Sequence, residues 1–217
     1  MSVFRSLSRR VHGYVLPTIA AGAIVAGLSA AASAAGRRAD GHPPVVPANL
    51  EVPAGYSLFF KARATGTQNY VCLPAASGAS WKFLAPQATL FETFRGEARQ
   101  QLTTHFLSAN PAESGLPRPT WQHSLDSSRV WGRAIASSTD VNFVEPGAIP
   151  WLLLEVVGVA AGPVGGVFLM QTAFLQRLNT SGGVAPMTGC SQSTDVGALA
   201  LVPYSADYFF YRAPHDN

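Results

Sequence analysis

The chain has 217 residues, 47% of them hydrophobic and 12% charged, with 20 Gly and 16 Pro, which fits one turn-rich domain with a buried core and excludes a disordered polar tail. The pI near 9.1 is set by the amino terminus, where Arg5, Arg9 and Arg10 supply three of the fifteen Lys/Arg. The remaining twelve face twelve acidic residues, so the rest of the chain has no electrostatic footprint for nucleic acid or anionic lipid.

Residues 1–34 have the three parts of an export signal: a basic head, an apolar stretch from Tyr14 to Leu28, and the A-x-A site Ala32-Ser33-Ala34. This pattern predicts cleavage after Ala34 and a secreted or periplasmic mature protein. An uncleaved anchor is the alternative, for which the Gly/Ala-rich stretch is short. Ser8–Arg10 contains a twin arginine, but His12 and Gly13 stand where that export route uses apolar residues. Residues 35–50, with the Pro- and charge-rich "RRADGHPPVVPAN", read as a flexible or extended lead-in to a β-rich domain over 51–213, and 214–217 read as a tail.

From Gly55 onward, short runs rich in β-branched and aromatic residues alternate with turn residues. They are Tyr56–Thr65, Gln68–Pro74, Trp81–Pro86, Ala88–Arg95, Gln101–Ser108, Pro119–Ser124, Arg129–Ser138, Ala198–Tyr204 and Ala206–Arg212. No long stretch repeats apolar residues at helical spacing. The pattern predicts an all-β domain, an antiparallel sandwich or barrel of about eight to ten strands. Ser108–Pro119 and Ser138–Ala148 read as the two longest irregular connections, the kind of loop that often carries function.

"WLLLEVVGVAAGPVGGVFLM" (Trp151–Met170) holds a single charge, Glu155. As a membrane helix it would be broken by Pro163 and weakened by Gly158, Gly162, Gly165 and Gly166. As a hairpin it is coherent, with one strand over Ile149–Ala161 and a return over Val167–Thr180. The first strand is apolar on both faces and should be central. In the return, Phe168, Met170, Phe174 and Leu178 share the apolar face, and Gln171, Arg177 and Asn179 the polar one. The run therefore reads as core, leaving no membrane span in the mature protein.

Cys72 and Cys190 are the two cysteines, and in an oxidising compartment one disulfide between them is favoured over two buried thiols. Too few ligands at close spacing exist for zinc, and no metal site is assigned. No G-x-S-x-G elbow, phosphate loop or G-x-G-x-x-G appears, so no cofactor is indicated and the sequence does not support a Rossmann-type NAD-dependent dehydrogenase.

His42 and His215 fall in the lead-in and tail. His105 and His123 lie on predicted strands, with Asp126 three residues beyond His123, so these three form the candidate acid–base cluster. Trp81, Trp121, Trp131 and Trp151, with Tyr204, Tyr208 and Tyr211, are either core or the lining of a ligand cleft. Trp121 follows a long loop, and Arg177 faces away from the apolar side of its strand, where it holds a carboxylate such as Asp126 or Asp207 or meets solvent.

"YVC", "WKFLAPQATLF", "THF", "TWQHS", "AIPWLLL", "FLQRLNTSGGVAPMTGC" and "VPYSADYFFY" closely resemble the secreted bacterial and fungal family known as domain of unknown function 3455. The resemblance covers about Val52 to Tyr211 and implies a secreted β-rich domain with Cys72 paired to Cys190. It carries over no activity; a malate-dehydrogenase-like label on some members has no nucleotide loop or βαβ pattern here to support it. The matching motifs contain His105, Trp121, Asp126, Trp151, Arg177, Asn179 and Asp207. Many members have an Asp-Gly-Ser turn where Ser127 stands here, so a glycine-specific backbone role is not implied at that position.

Two functions follow. The first is a non-catalytic exported β domain that binds a small ligand, a glycan or an envelope component, with Trp121, Arg177, Asn179 and Asp207 as candidate contacts. The second is an exported hydrolase or metal-dependent enzyme using His105 or His123 with Asp126.

Overall fold

A computed structural model describes residues 43–94 and 98–214. The expected export signal, the first half of the lead-in (35–42), and His215 lie outside the described residues, as does His42. Eight antiparallel strands form a closed barrel in sequence order: β1 (Ser57–Ala75), β2 (Gly78–Phe94), β3 (Ala98–Asn110), β4 (Leu116–His123), β5 (Arg129–Ser138), β6 (Trp151–Ala160), β7 (Thr172–Gly182) and β8 (Leu199–Arg212). β8 pairs back onto β1, which resolves the sandwich-or-barrel alternative in favour of the barrel. Closure removes the exposed edges that an open sheet of this size would present.

Several runs separated by turn residues in the sequence are single long strands. Gly66 sits inside β1, opposite Ala88 on one side and Tyr204 on the other. A Cβ there would collide with the backbone of Gln87 and Ala88, so this glycine permits a close strand approach rather than a turn. Pro86 is tolerated inside β2 because β3 joins β2 only from Ala88 onward. Pro86 thus lies on a stretch with one neighbouring strand, where a missing N–H costs no ladder bond. Ser108–Pro119, expected to be irregular, is a tight hairpin: Asn110 pairs with Leu116, and the Asn110 carboxamide accepts from Ala112 N–H and donates to Glu113. The second expected connection, after β5, is irregular up to the strand that begins at Trp151.

The barrel has a core on each side of part of its wall. Inside lie Phe60, Ala62, Ala64, Leu90, Trp121, Val130, Leu154, Leu175, Ala206, Tyr208 and Phe210. Outside, Trp151, Leu153, Leu178, Phe209 and Tyr211 are covered by Leu50, Val144 and Ala148, with Val46, Val52 and Tyr56 packed alongside. Residues 43–50, in the segment read as a flexible or extended lead-in, pack against an outer apolar face. Leu50 is fully buried, and its carbonyl accepts from the Gln176 side chain at 2.7 Å.

This double core explains β6 and inverts the expectation for β7. β6 is apolar on both faces over Trp151–Leu154 because both are buried there, Trp151 and Leu153 outside and Leu152 and Leu154 inside. In β7 the alternation holds, but the Phe174/Leu178 face points outward under the covering segment, while Leu175 and Arg177 face the interior. The return strand also starts later than expected, because Phe168–Gln171 form a 3-10 helix. The greasy run is core, with Trp151, Leu153, Leu154 and Leu169 buried, and no helix among the described residues is long and apolar enough to cross a membrane.

Beyond the point where β3 leaves β2, the ends of β1, β2 and β8 continue as a three-stranded extension. A Cys72–Cys190 disulfide, with Cα atoms 5.6 Å apart, fastens the β7–β8 connection to it. Backbone bonds between Cys72 and Gly197 and Ala198 continue the attachment.

Candidate functional site

Small inward residues on β1 and β8 (Ala62, Ala64, Ala206) leave the barrel interior wide enough for large aromatic side chains and a cavity beside them. The cavity has a volume of about 290 Å³, at the lower end of small-molecule sites. His105, Trp121 and Tyr208 line it from the barrel, Gln68, Tyr70, Phe83 and Pro86 from the extension, and Ile149, Pro150, Leu152 and Leu154 from β6 and the segment before it. Arg177 is its one charged residue.

His105 and Trp121 are directly opposite across β3 and β4, and their rings stack 4.3 Å apart at 9°. Tyr208 packs edge-on against Trp121 at 5.5 Å. The Thr120 carbonyl lies 2.9 Å from His105 Nδ1 and can only accept, so Nδ1 carries the ring proton. Burial pushes the His105 pKa down to about 3, and the nearby Arg177 cation works in the same direction against the Thr120 bond. The imidazole is therefore neutral at physiological pH. Burial raises the Tyr208 phenol in the same way, with Arg177 opposing it.

Arg177 reaches the cavity because its position on β7 shares the interior face with Leu175. Its Nε and Nη2 donate to the Pro150 carbonyl at 3.2 and 2.8 Å. It holds neither Asp126 nor Asp207, and no carboxylate pairs with it among the described residues. Gln68 Nε2, Trp121 Nε1 and the hydroxyls of Tyr204 and Tyr208 are buried without a hydrogen-bond partner among the described residues. The two phenols and Gln68 are neighbours, and Arg177 is close to both phenols, but none of these contacts completes a hydrogen bond.

The other candidates lie elsewhere. His123 Nδ1 is 2.9 Å from Asp126 Oδ1, and its ring stacks on Phe168 at 4.6 Å. Asp126 also accepts from the Ser128 amide and hydroxyl and from Phe168 N–H. Burial pushes its pKa up, but these bonds outweigh it and hold the carboxyl well below the usual range. Asp126 is thus the knot tying the β4–β5 turn to the segment before β7. That role accounts for Gly162 and Gly166, where a Cβ would strike the Asp126 carbonyl. Asn179 and Asp207 bond to each other at 2.8 Å, and Asp207 pairs with Arg63 at 3.3 Å. A bulge at Asn179, with φ of 49°, turns its side chain to this cluster, and neither residue lines the cavity. Among the remaining aromatics, Trp81 donates to Thr188 and Trp131 to Ser108, while Trp151 and Tyr211 belong to the outer core. No group of three or more His, Cys, Asp or Glu among the described residues could hold a metal ion.

Residues 53–212 match the family described as Protein of unknown function (DUF3455). The chain belongs to this family. No curated protein and no solved structure matches the chain.

In this DUF3455 barrel, Ser127 adopts φ of 60°, so the turn needs the left-handed conformation even with serine in place. Sequence reasoning missed Gln68, Tyr70, Phe83 and Pro86 as cavity residues. A signal for Gln68 exists: along β1, Phe60, Ala62, Ala64 and Gly66 occupy one alternation phase, and a polar Gln68 continues it. Tyr70 is fixed by donation to the Gly183 carbonyl at 2.7 Å, a partner 113 residues away that no local pattern reveals.

Proposed function

We propose that this DUF3455 protein is exported and binds a small, largely apolar ligand in its barrel cavity without transforming it. The observation that carries this reading is a cavity with mostly apolar walls around one half-buried guanidinium, Arg177, with side-chain polar atoms of Gln68, Trp121 and Tyr208 unpartnered behind those walls among the described residues. Buried polar atoms are normally hydrogen-bonded, and their concentration at one cavity is what a ligand site requires. A glycan would need donors and acceptors in comparable number, which favours a compact apolar body with few polar atoms. The disulfide and the amino-terminal signal pattern support export. The His123–Asp126 bond supports an acid–base reading as the second possibility. Against it, both Asp126 oxygens are already engaged by Ser128 and Phe168.

The test is to purify the protein from its native host, denature it, and identify the released small molecules by mass spectrometry. A stoichiometric compound is expected from wild type. Leu152→Trp, which fills the cavity from β6, should fold and release none. Equal recovery from both proteins places the ligand elsewhere.

A further inference from the structure

Building on that binding role, we propose that the ligand is a monocarboxylate, its carboxylate held end-on by Arg177 and its apolar body lying against Tyr70, Phe83 and Leu152.

The guanidinium offers two edges able to make paired hydrogen bonds. The Nε/Nη2 edge is used by the Pro150 carbonyl, which also fixes the plane of the group. The Nη1/Nη2 edge has two parallel N–H bonds and no carboxylate partner among the described residues, with the Tyr208 hydroxyl beside it, and its spacing matches the two oxygens of a carboxylate. A half-buried cation without a counter-ion attracts an anion and repels a cationic ligand.

The unpartnered atoms point the same way. The Gln68 amide nitrogen and the Trp121 indole nitrogen, unpartnered just behind the wall, can only donate, and the Tyr208 phenol stands beside Arg177, so the polar groups around the guanidinium suit an acceptor rather than a donor. A ligand rich in donors would leave them unmet. A carboxylate has about four lone-pair sites, enough to accept both N–H bonds of the guanidinium edge.

The charge count sets the valence. Arg177 is the one cationic side chain on the cavity wall, and His105 beside it is neutral, so the site matches one negative charge rather than the two of a phosphomonoester or dicarboxylate. The volume limits size to about ten water-sized groups, an aryl or short alkyl acid. Phe83, with Tyr70 and Leu152, offers the accessible apolar wall for such a body, and the buried His105–Trp121 stack backs it.

Benzoate, cinnamate and octanoate, each paired with its neutral amide, serve as probes, with binding read by calorimetry and by intrinsic tryptophan fluorescence. At least one acid is expected to bind wild type about tenfold to a hundredfold tighter than its amide, the range of a charge-assisted hydrogen-bonded pair. In Arg177→Gln the acid should fall to the affinity of the amide, and the amide should change by less than about threefold. The wild-type comparison holds even if that variant folds poorly. Equal binding of acid and amide, or a neutral compound recovered from the host protein, overturns the monocarboxylate assignment and leaves the cavity as a binding site. If no probe binds and no compound is recovered, the binding role itself falls.

Discussion

Removing the disulfide, by Cys72→Ala with Cys190→Ala or by reduction, tests how the extension is held. The bond closes a loop over a sequence separation of 118 residues. The chain-entropy relation for that length gives about 5 kcal/mol of stabilisation. In a barrel of this size each kcal/mol shifts the thermal midpoint by about 2–4 °C, so a drop of about 10–20 °C is expected. Cys72 lies between the barrel and the tip of the extension, and Gln68, Tyr70, Phe83 and Pro86 of that extension form one wall of the cavity. Ligand affinity should therefore fall even where the reduced protein is still folded. Circular dichroism melts of oxidised, reduced and doubly substituted protein, with thiol content confirmed by mass spectrometry, give the midpoints. A drop under about 3 °C in both forms refutes the entropic account, and unchanged affinity in the folded reduced protein refutes the coupling to the cavity.

Ser127→Gly should raise stability by about 0.5–1 kcal/mol in urea unfolding, because glycine removes left-handed strain that exceeds its own entropic cost; a decrease contradicts this. Asp126→Ala should cost about 3 kcal/mol or more, since it strands the Phe168 and Ser128 donors at once; a loss under 1 kcal/mol in the same assay shows that other groups hold this junction. His105 binds its proton more weakly folded than unfolded, so the unfolded state takes up the extra proton as pH falls below 6.5 and stability declines toward pH 3. Between pH 6.5 and 5.5, above the range where the depressed carboxyls of Glu113 and Asp126 matter, the slope should rise toward about 1.4 kcal/mol per pH unit and vanish in His105→Gln; a flat wild-type curve refutes it. Asp207→Asn should lower stability through Arg63 and Asn179 yet leave ligand affinity within about twofold, because that cluster does not line the cavity; a larger change in measured affinity ties the two sites together.

The strand periodicity, the cysteine pair and the broken greasy run were legible from residue order, because side-chain alternation, proline's missing N–H and glycine's low helix propensity act over a few residues. Those signals give an all-β chain, a central β6 and a core rather than a membrane helix. Period-two alternation divides a strand into two faces but does not say which one looks inward. For β7 that depended on residues 43–56 covering the outer wall, and this placed Arg177 inside. Tertiary pairing alone sorted the candidates: His105, Trp121 and Arg177 share the cavity, Asp126 binds His123 instead, and Asn179 joins Asp207 away from it. Each of these outcomes is set by contacts between distant segments, whose free energy appears only once the barrel closes.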